Sequence, residues 1–538
     1  MNKYLVFTII LFLGIMGCNT ISEVKPNFLI IIVDDLGWRD LGFTGSKVYE
    51  TPNLDKMAKQ GMVFTNGYSN CSVCSPSRAS IMTGLHVTNH GITNWIGAPS
   101  KNNWNRTYTK LAPPEYVHYL PHENITIAEA LRENGYKTFF AGKWHLGGKD
   151  AKSLPIHHGF EINKGGYHKG GPYSGGYFSP FNNPYLVDYE SEEGMTLSSK
   201  LAKETNLFIE NQRDSTFMAV LSFYGVHAPI QTSPDKWSKY RDKIDSLGIE
   251  DTGFEMERIL PIRKNQDNPV YAGLVEQIDD AVGMVVQRLK ELNLFENTVI
   301  IFTSDNGGVS SGDDYATSNF PIRGGKGYQW EGGIKVPFMV SYPKLKSTIG
   351  TISETPVLGM DIYPTILDLA NIDKQNFSFL DGQSFDPILN GKTIKNRDLF
   401  WHYPHYGNQG GEPNSIVRSE NWKLIHYWED GRNELYNLVE DPSEKENLAP
   451  KYEEKTHQFY TKLLDWLNET NAARPISNRL FDVQAEKAFL EKAKEVTMFR
   501  LEGKRKQMLK EDWQPNENWW GSKLGNGKKK RMNNRFEK

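Results

Sequence analysis

Residues 27–33 read N-F-L-I-I-I-V, an almost unbroken apolar and mostly β-branched run. With no alternation along it, such a run predicts a strand buried on both faces of a parallel sheet. It stops at Asp34-Asp35. Residues 51–61 carry a helical pattern, with Thr51 as N-cap, Pro52 in the first turn and Gly61 as the stop. The alternation then repeats. A helix is predicted over 126–134, strands over 136–142 (Y-K-T-F-F-A-G) and 217–223, and a long amphipathic helix over 269–292. A strand over 298–303 runs into Ser304-Asp305-Asn306, and another covers 336–341. Strands alternating with helices predict an α/β fold with a mostly parallel sheet flanked by helices. Ligands of such sheets bind at the carboxyl ends of the strands, where Asp34, Asp35, Asp305 and Asn306 fall.

The pattern changes near residue 390. Short strand-like runs over 399–403, 415–418, 422–427 and 434–438 predict a small antiparallel sheet, followed by a helix over 452–467. The chain divides into a leader over 1–18, a larger domain over 26–390, a smaller α+β subdomain over 391–500 and a basic tail over 501–538. That tail contains Lys528, Lys529, Lys530 and Arg531. A length of 538 residues agrees with more than one hydrophobic core.

The leader changes the picture most. After Lys3 comes an apolar stretch over residues 5–16, too short to span a bilayer and suited to a secretory signal. It ends in Ile15-Met16-Gly17-Cys18, which resembles a bacterial lipobox, in which the cysteine is lipidated and becomes the first mature residue. The expectation is an exported lipoprotein of the cell envelope, in the periplasm or at the cell surface, anchored to a membrane through Cys18. A net charge of −3 supplies no basic surface for nucleic acid. The basic tail reads as a solvated segment, with the holding of a polyanionic substrate as its functional reading.

Three cysteines are present, and Cys71 and Cys74 form a C-x-x-C pair. A disulfide, a redox pair or half a zinc site all share that spacing, but no second C-x-x-C completes a zinc site. Asp34, Asp35, Asp305 and Asn306 offer hard oxygen donors, which suit calcium first and magnesium second.

The segment beginning at Cys74 reads C-S-P-S-R-A-S-I-M-T-G. Around it stand the Asp pair after the first strand, G-K-W-H-L-G at 142–147, H-A-P at 227–229, S-D-N-G-G at 304–308 and R-G-G-K at 323–326. Together these blocks resemble the type I sulfatases, whose C-x-P-S-R cysteine is converted to formylglycine by a dedicated formylglycine-generating enzyme. The resemblance extends from about residue 26 to 448. Ile81 and Met82 stand where the family usually has two leucines. Alkaline phosphatases typically carry Asp-His where this chain has Asp305-Asn306, and the Asn implies one metal rather than two.

The resemblance implies an alkaline-phosphatase-like fold and sulfate-ester hydrolysis, with one calcium ion held by Asp34, Asp35, Asp305, Asn306 and the modified Cys74. Arg78 would hold one hydroxyl of the hydrated aldehyde, and Lys143 and Lys326 would clamp the sulfate. His227 would protonate the departing alcohol, and His145 would act as base on the second hydroxyl, so that the sulfated intermediate expels sulfate. The reaction needs positive charge at the equatorial oxygens and a proton for the leaving group. Alternation along the end of the strand over 136–142 would put Lys143 and His145 on one face. The family's H-x-P-H is H-A-P-I here, with Ile230 in place of the second His. Arg323, His402, His405, Arg418, Trp95, Tyr328 and Trp330 are candidates to line a substrate pocket. The expected substrate is a sulfated oligosaccharide or polysaccharide, derived from an algal polymer (ulvan, carrageenan, fucoidan) or a glycosaminoglycan. Two other readings compete: a formylglycine-dependent phosphonate or phosphodiester hydrolase, and a surface glycan-binding lipoprotein with an inactive fold.

Overall fold

A computed structural model describes residues 25–172, 176–179, 181–186, 194–248, 251–377 and 379–513. The leader with Cys18 and the cluster Lys528–Arg531 lie outside the described residues. The sheet strands are β1 (Asn27–Val33), β2 (Met62–Phe64), β3 (Lys137–Gly142), β4 (Ile162–Lys164), β5 (Phe217–Phe223), β6 (Thr298–Ser304), β7 (Phe338–Ser341) and β8 (Thr351–Ser353). They form one eight-stranded sheet in the order β8-β2-β7-β6-β1-β5-β3-β4. Pairing is parallel from β6 through β1, β5 and β3 to β4, as the strand–helix alternation requires. β7 runs antiparallel to both β6 and β2, a reversal that apolar content alone does not encode.

Every residue of β1 is buried, and the strand serves two cores at once. Leu29, Ile31 and Val33 join a cluster with Leu274, Ile278 and Val282 of the helix Pro269–Glu291. Phe28, Ile30 and Ile32 face the other way, toward Ala79 and Ile81 of the helix Cys74–Thr83 and Ile366 of the helix Ile362–Leu369. This two-sided cover is why the strand is apolar without alternation.

Register decides where chemistry collects. Val33 is level with Ser304 of β6 and with Phe223 of β5, while Gly142 of β3 is level with Ser222. The residues that follow these strands therefore emerge at one level of one sheet edge. They are Asp34-Asp35, Asp305-Asn306, Lys143 and the turn leading to His227.

The C-terminal sheet comprises β9 (Leu399–Tyr403), β10 (Asn414–Ser419), β11 (Trp422–Tyr427) and β12 (Asn433–Asn437), all antiparallel and in that order. One face packs on the helix Glu453–Glu469 through Val417, Leu424 and Leu463. The other shares a core with the larger domain, where Trp401, Ile416 and Ile425 meet Tyr68, Tyr328 and Trp330. A buried polar knot lies between the same two parts, with Lys423 paired to Glu331 at 3.1 Å and Glu444 at 2.8 Å. The stretch expected as a basic tail from residue 501 begins inside the helix Met498–Met508. Leu501 packs on Phe254 and Tyr315, and buried Arg505 pairs with Asp267 at 2.8 Å, so the described part of this stretch, residues 501–513, is folded onto the larger domain.

Candidate active site

The C-S-P-S-R segment opens the helix Cys74–Thr83, in which every residue is buried. Cys74 is its first residue and Pro76 falls in the first turn, where a missing N–H costs nothing. Ser77 Oγ takes the Cys71 N–H at 2.8 Å and donates to Cys71 O at 3.0 Å, which fastens the approach to the helix. Ser75 Oγ donates to His145 O at 2.9 Å. Cys71 and Cys74 are both free thiols, so no disulfide joins them. Burial pushes the Cys71 thiol up to about 12, which makes it inert.

Arg78 reaches from this helix into the strand ends. Its Nε donates to Asp305 Oδ2 at 2.7 Å, and one terminal nitrogen donates to Lys143 O at 2.7 Å and to Ser222 Oγ at 2.6 Å. The other terminal nitrogen is buried with no hydrogen-bond partner and lies 3.6 Å from Asp34 Oδ1. Lys143 Nζ meets Asp34 Oδ2 at 2.6 Å, and Lys326 Nζ meets Asp35 Oδ2 at 2.8 Å. Burial drives the Asp34 carboxyl well above the usual carboxylate range against the pull of Lys143, with Asp305 and Asp35 adding to the rise. Burial also opposes ionisation of Asp35, but Lys326, His227 and Lys143 outweigh it and hold that carboxyl below its ordinary value. For Asp305, Arg78 and Lys143 overcome burial in the same direction.

Three buried carboxylates (Asp34, Asp35, Asp305) thus face three cations (Arg78, Lys143, Lys326), and Asp313 adds a fourth carboxylate 3.6 Å from Lys326, so the cluster has no net positive charge. Such a cluster offers an anion no net attraction. A divalent cation would make it net positive, and the donor set fits one. Asp34 Oδ1 and Asn306 Oδ1 are both buried without a hydrogen-bond partner, an expensive condition unless something else takes them. Ligand atoms of Asp34, Asp35 and His227 lie within 4.8 Å of one another. His227 was expected only as an acid, and its Nε2 lies 3.9 Å from Asp35 Oδ2. Asp305 is brought beside this group, where its Oδ1 accepts from Asp35 N at 3.2 Å. Asn306 Nδ2 donates to Asp35 Oδ1 at 2.8 Å.

Lys143 and His145 both reach the cluster, but not by strand alternation. β3 ends at Gly142, and His145 has a left-handed backbone with φ of 55°. Gly142 is itself required, because a Cβ there would stand 1.7 Å from Ser222 O. That close approach lets Lys143 N donate to Ser222 O at 2.7 Å. The turn then brings His145 Nδ1 to 3.3 Å from Cys74 Sγ. His145 Nε2 lies 3.1 Å from Ile96 O, and a carbonyl only accepts, so Nε2 carries the proton and Nδ1 the lone pair. Burial and neighbouring Lys143 hold His145 well below its ordinary range, so the ring is neutral. His227 Nδ1 lies 2.6 Å from Ala228 O, which by the same rule makes Nδ1 a donor. Burial and Lys326 pull His227 down to about 4, against Asp35.

The other candidates have structural partners. Arg323 lies over Trp330, donates Nε and one terminal nitrogen to the Glu257 carboxylate, and donates to Glu444 O. His402 spans Ser415 Oγ and Ala473 O. His405 meets Thr93 Oγ1 at 2.9 Å. Arg418 bonds Tyr68 and Glu420 O, and Tyr328 and Trp330 sit inside the shared core. Ser222 was not foreseen. Its one sign in the sequence is a hydroxyl interrupting the apolar strand F-M-A-V-L-S-F one residue before its end.

Residues 26–372 match the family model described as Sulfatase, and residues 325–473 match the one described as N-sulphoglucosamine sulphohydrolase, C-terminal. This chain belongs to the sulfatase family. A sulfatase of Formosa agariphila is 29% identical over 84% of this chain and 90% of its own length. Human N-acetylgalactosamine-6-sulfatase is 30% identical over 70% of this chain and 68% of its own. Among solved structures, that of Ps i-CgsB in complex with k-i-k-neocarrahexaose superposes with a TM-score of 0.66 at 25% identity. It covers 89% of this chain and 98% of the other. The enzyme is a sulfuric ester hydrolase with the alkaline-phosphatase-like fold, and its strand ends carry an acidic cluster able to hold a metal ion.

Proposed function

We propose that this sulfatase removes sulfate from a sulfated saccharide, using formylglycine at position 74 and one calcium ion held by Asp34, Asp35, Asp305, Asn306 and the modified residue 74. The cluster of carboxylates and cations without net positive charge, with two unpartnered buried oxygens, carries this reading. The bound ion would supply the missing positive charge, and the hydrated aldehyde at 74 a geminal hydroxyl nucleophile. Every oxygen in the donor set is hard, which favours calcium over zinc.

The chain's own groups divide the remaining work. Lys143 and Lys326 balance charge on the sulfate oxygens. Arg78 holds Asp305 through Nε, and its other terminal nitrogen, 3.6 Å from Asp34 Oδ1 and without a hydrogen-bond partner, is left to hold a hydroxyl of residue 74. His145 Nδ1, unprotonated and beside residue 74, accepts a proton from that residue's hydroxyl. His227, whose Nδ1 proton is held by Ala228 O, presents Nε2 to the departing alcohol and serves as its acid once that nitrogen has taken up a proton.

The saccharide class is supported by what the related proteins are named for, N-acetylgalactosamine 6-sulfate in one case and a neocarrahexaose complex in another. Sulfate release is to be measured on carrageenan and ulvan oligosaccharides and glycosaminoglycan disaccharides, beside a phosphonate monoester and a phosphodiester. Release from at least one saccharide should exceed turnover of the phosphorus esters by about 100-fold or more in kcat/KM. Turnover of the phosphorus esters with no sulfate released from any sugar would overturn it.

We also infer that the chain is exported and anchored through a lipidated Cys18, which the sequence I-M-G-C supports. Two or more acyl chains hold a protein stably to a bilayer, whereas one does so only marginally. Expressed in a Gram-negative host, the wild type should partition with membranes and incorporate labelled palmitate, and Cys18→Ala should do neither. Equal recovery of both forms in the soluble periplasmic fraction would defeat the anchor.

A further inference from the structure

Asp313 stands where an anion-binding site has no evident use for it. Its Oδ2 lies 3.6 Å from Lys326 Nζ, the lysine that also holds Asp35. The same Oδ2 accepts from Gln409 Nε2 at 2.9 Å, a residue of the loop between β9 and β10 in the C-terminal subdomain. Oδ1 takes no hydrogen bond among the described residues, and the side chain keeps 28% of its surface exposed. The next residue, Asp314, accepts from Ile230 N at 3.1 Å, three positions beyond His227. Asp313 is therefore fixed between the sulfate-side lysine and the segment that carries the leaving-group acid. Its backbone is left-handed, with φ of 38°, and Gly312 before it and Tyr315 after it are left-handed too. A backbone kept in so sparsely populated a conformation marks a position that is set by its surroundings.

A carboxylate repels the substrate's sulfate, so it weakens binding unless it bonds another part of the substrate. The alcohol side of the ester offers such a part, and a sugar sulfated on a ring carbon carries a hydroxyl on a neighbouring ring carbon. Resting on the saccharide reading above, we propose that Asp313 reads the leaving sugar. Its outward oxygen accepts a hydrogen bond from a hydroxyl on the carbon next to the sulfate ester. A free neighbouring hydroxyl is thereby favoured, and a second anionic group at that position is rejected. A hydrogen bond to an ionised acceptor is strong, and a site built to receive a hydroxyl discriminates steeply against ligands that lack it.

The test compares wild type with Asp313→Ala and Asp313→Asn on three substrates. One is 4-nitrophenyl sulfate, which has no neighbouring hydroxyl. The second is the fastest of the panel's saccharides that carry one sulfate on a ring carbon beside a free hydroxyl, and the third is that sugar with a second sulfate on the adjacent carbon. Asp313→Ala should lower kcat/KM on the monosulfated sugar by about 10- to 100-fold and change the aryl sulfate by less than about threefold. Asp313→Asn should raise the rate on the disulfated sugar relative to the monosulfated one by about tenfold. Equal losses on sugar and aryl ester would mean that Asp313 only positions Lys326, and unchanged rates would mean that it contacts nothing; either overturns the proposal and leaves the saccharide reading intact. If wild type cleaves the aryl sulfate but no sugar, the saccharide reading fails and the proposal falls with it.

Discussion

Cys74→Ala is expected to remove turnover by on the order of 10⁴-fold or more while leaving the thermal unfolding curve within about 1 kcal/mol of wild type. The first half follows from chemistry. A methyl group offers no oxygen to attack sulfur, and no neighbouring hydroxyl occupies its place, because Ser75 and Ser77 are committed to His145 O and Cys71 O. The second half follows from packing. Cys74 is only 3% exposed, and its one side-chain hydrogen-bond contact among the described residues is the 3.3 Å approach of His145 Nδ1, so truncation leaves a small gap and no stranded charge. Mass spectrometry of the peptide containing residue 74 supplies the control. In the active wild type that residue should have exchanged its sulfur for oxygen and lost a pair of hydrogens relative to unmodified cysteine. Full activity in a preparation whose residue 74 is an unmodified thiol would remove formylglycine from the mechanism.

Chelation should silence the enzyme, calcium should restore it, and Asp35→Asn should abolish stoichiometric metal binding with a loss in kcat/KM of at least about 100-fold. Asp35 is the most heavily used group in the cluster. It accepts from Lys326 and from the Asn306 amide, and it faces His227 across 3.9 Å. Asparagine keeps the shape but removes the charge, and Lys326 is then left buried with only the more distant Asp313. Elemental analysis of wild type and variant, purified side by side, reads the binding directly. Zinc at full occupancy in active wild type, or undiminished turnover after exhaustive chelation, would contradict the calcium assignment.

Much of this molecule was legible in its apolar runs, since strands covered on both faces must be apolar throughout. Asn27–Val33 and Phe217–Phe223 are found at the predicted bounds. The helix Cys74–Thr83 was not legible as a helix. Wholly buried and rich in small polar residues, it has no solvent face to impress a period on the sequence. The direction of β7 was hidden for a related reason, because parallel and antiparallel central strands bury the same kinds of side chain. At the site, the groups that motifs mark came together as expected, yet the reason for placing Lys143 and His145 on one face did not hold. Ser222, Gln409 and the carbonyl of Ile96 left almost no trace, because their roles depend on tertiary neighbours far away in the chain.

The burial of the helix Cys74–Thr83 also sets a clock on biosynthesis. Its first residue has almost no exposed surface, and Arg78 is locked to Asp305, which lies 227 residues downstream. Until β6 has been made, β1 lacks one of its two neighbours and Arg78 lacks that carboxylate. At about 5–20 residues per second, ribosomes need roughly 10 to 45 seconds to cover that distance. If residue 74 is converted as proposed, a maturation enzyme that must grasp the backbone around it has that interval, together with whatever delay precedes folding, in which to act. Overproduction that outruns it would yield protein with a native fold, a native melting temperature and a permanently unconverted thiol.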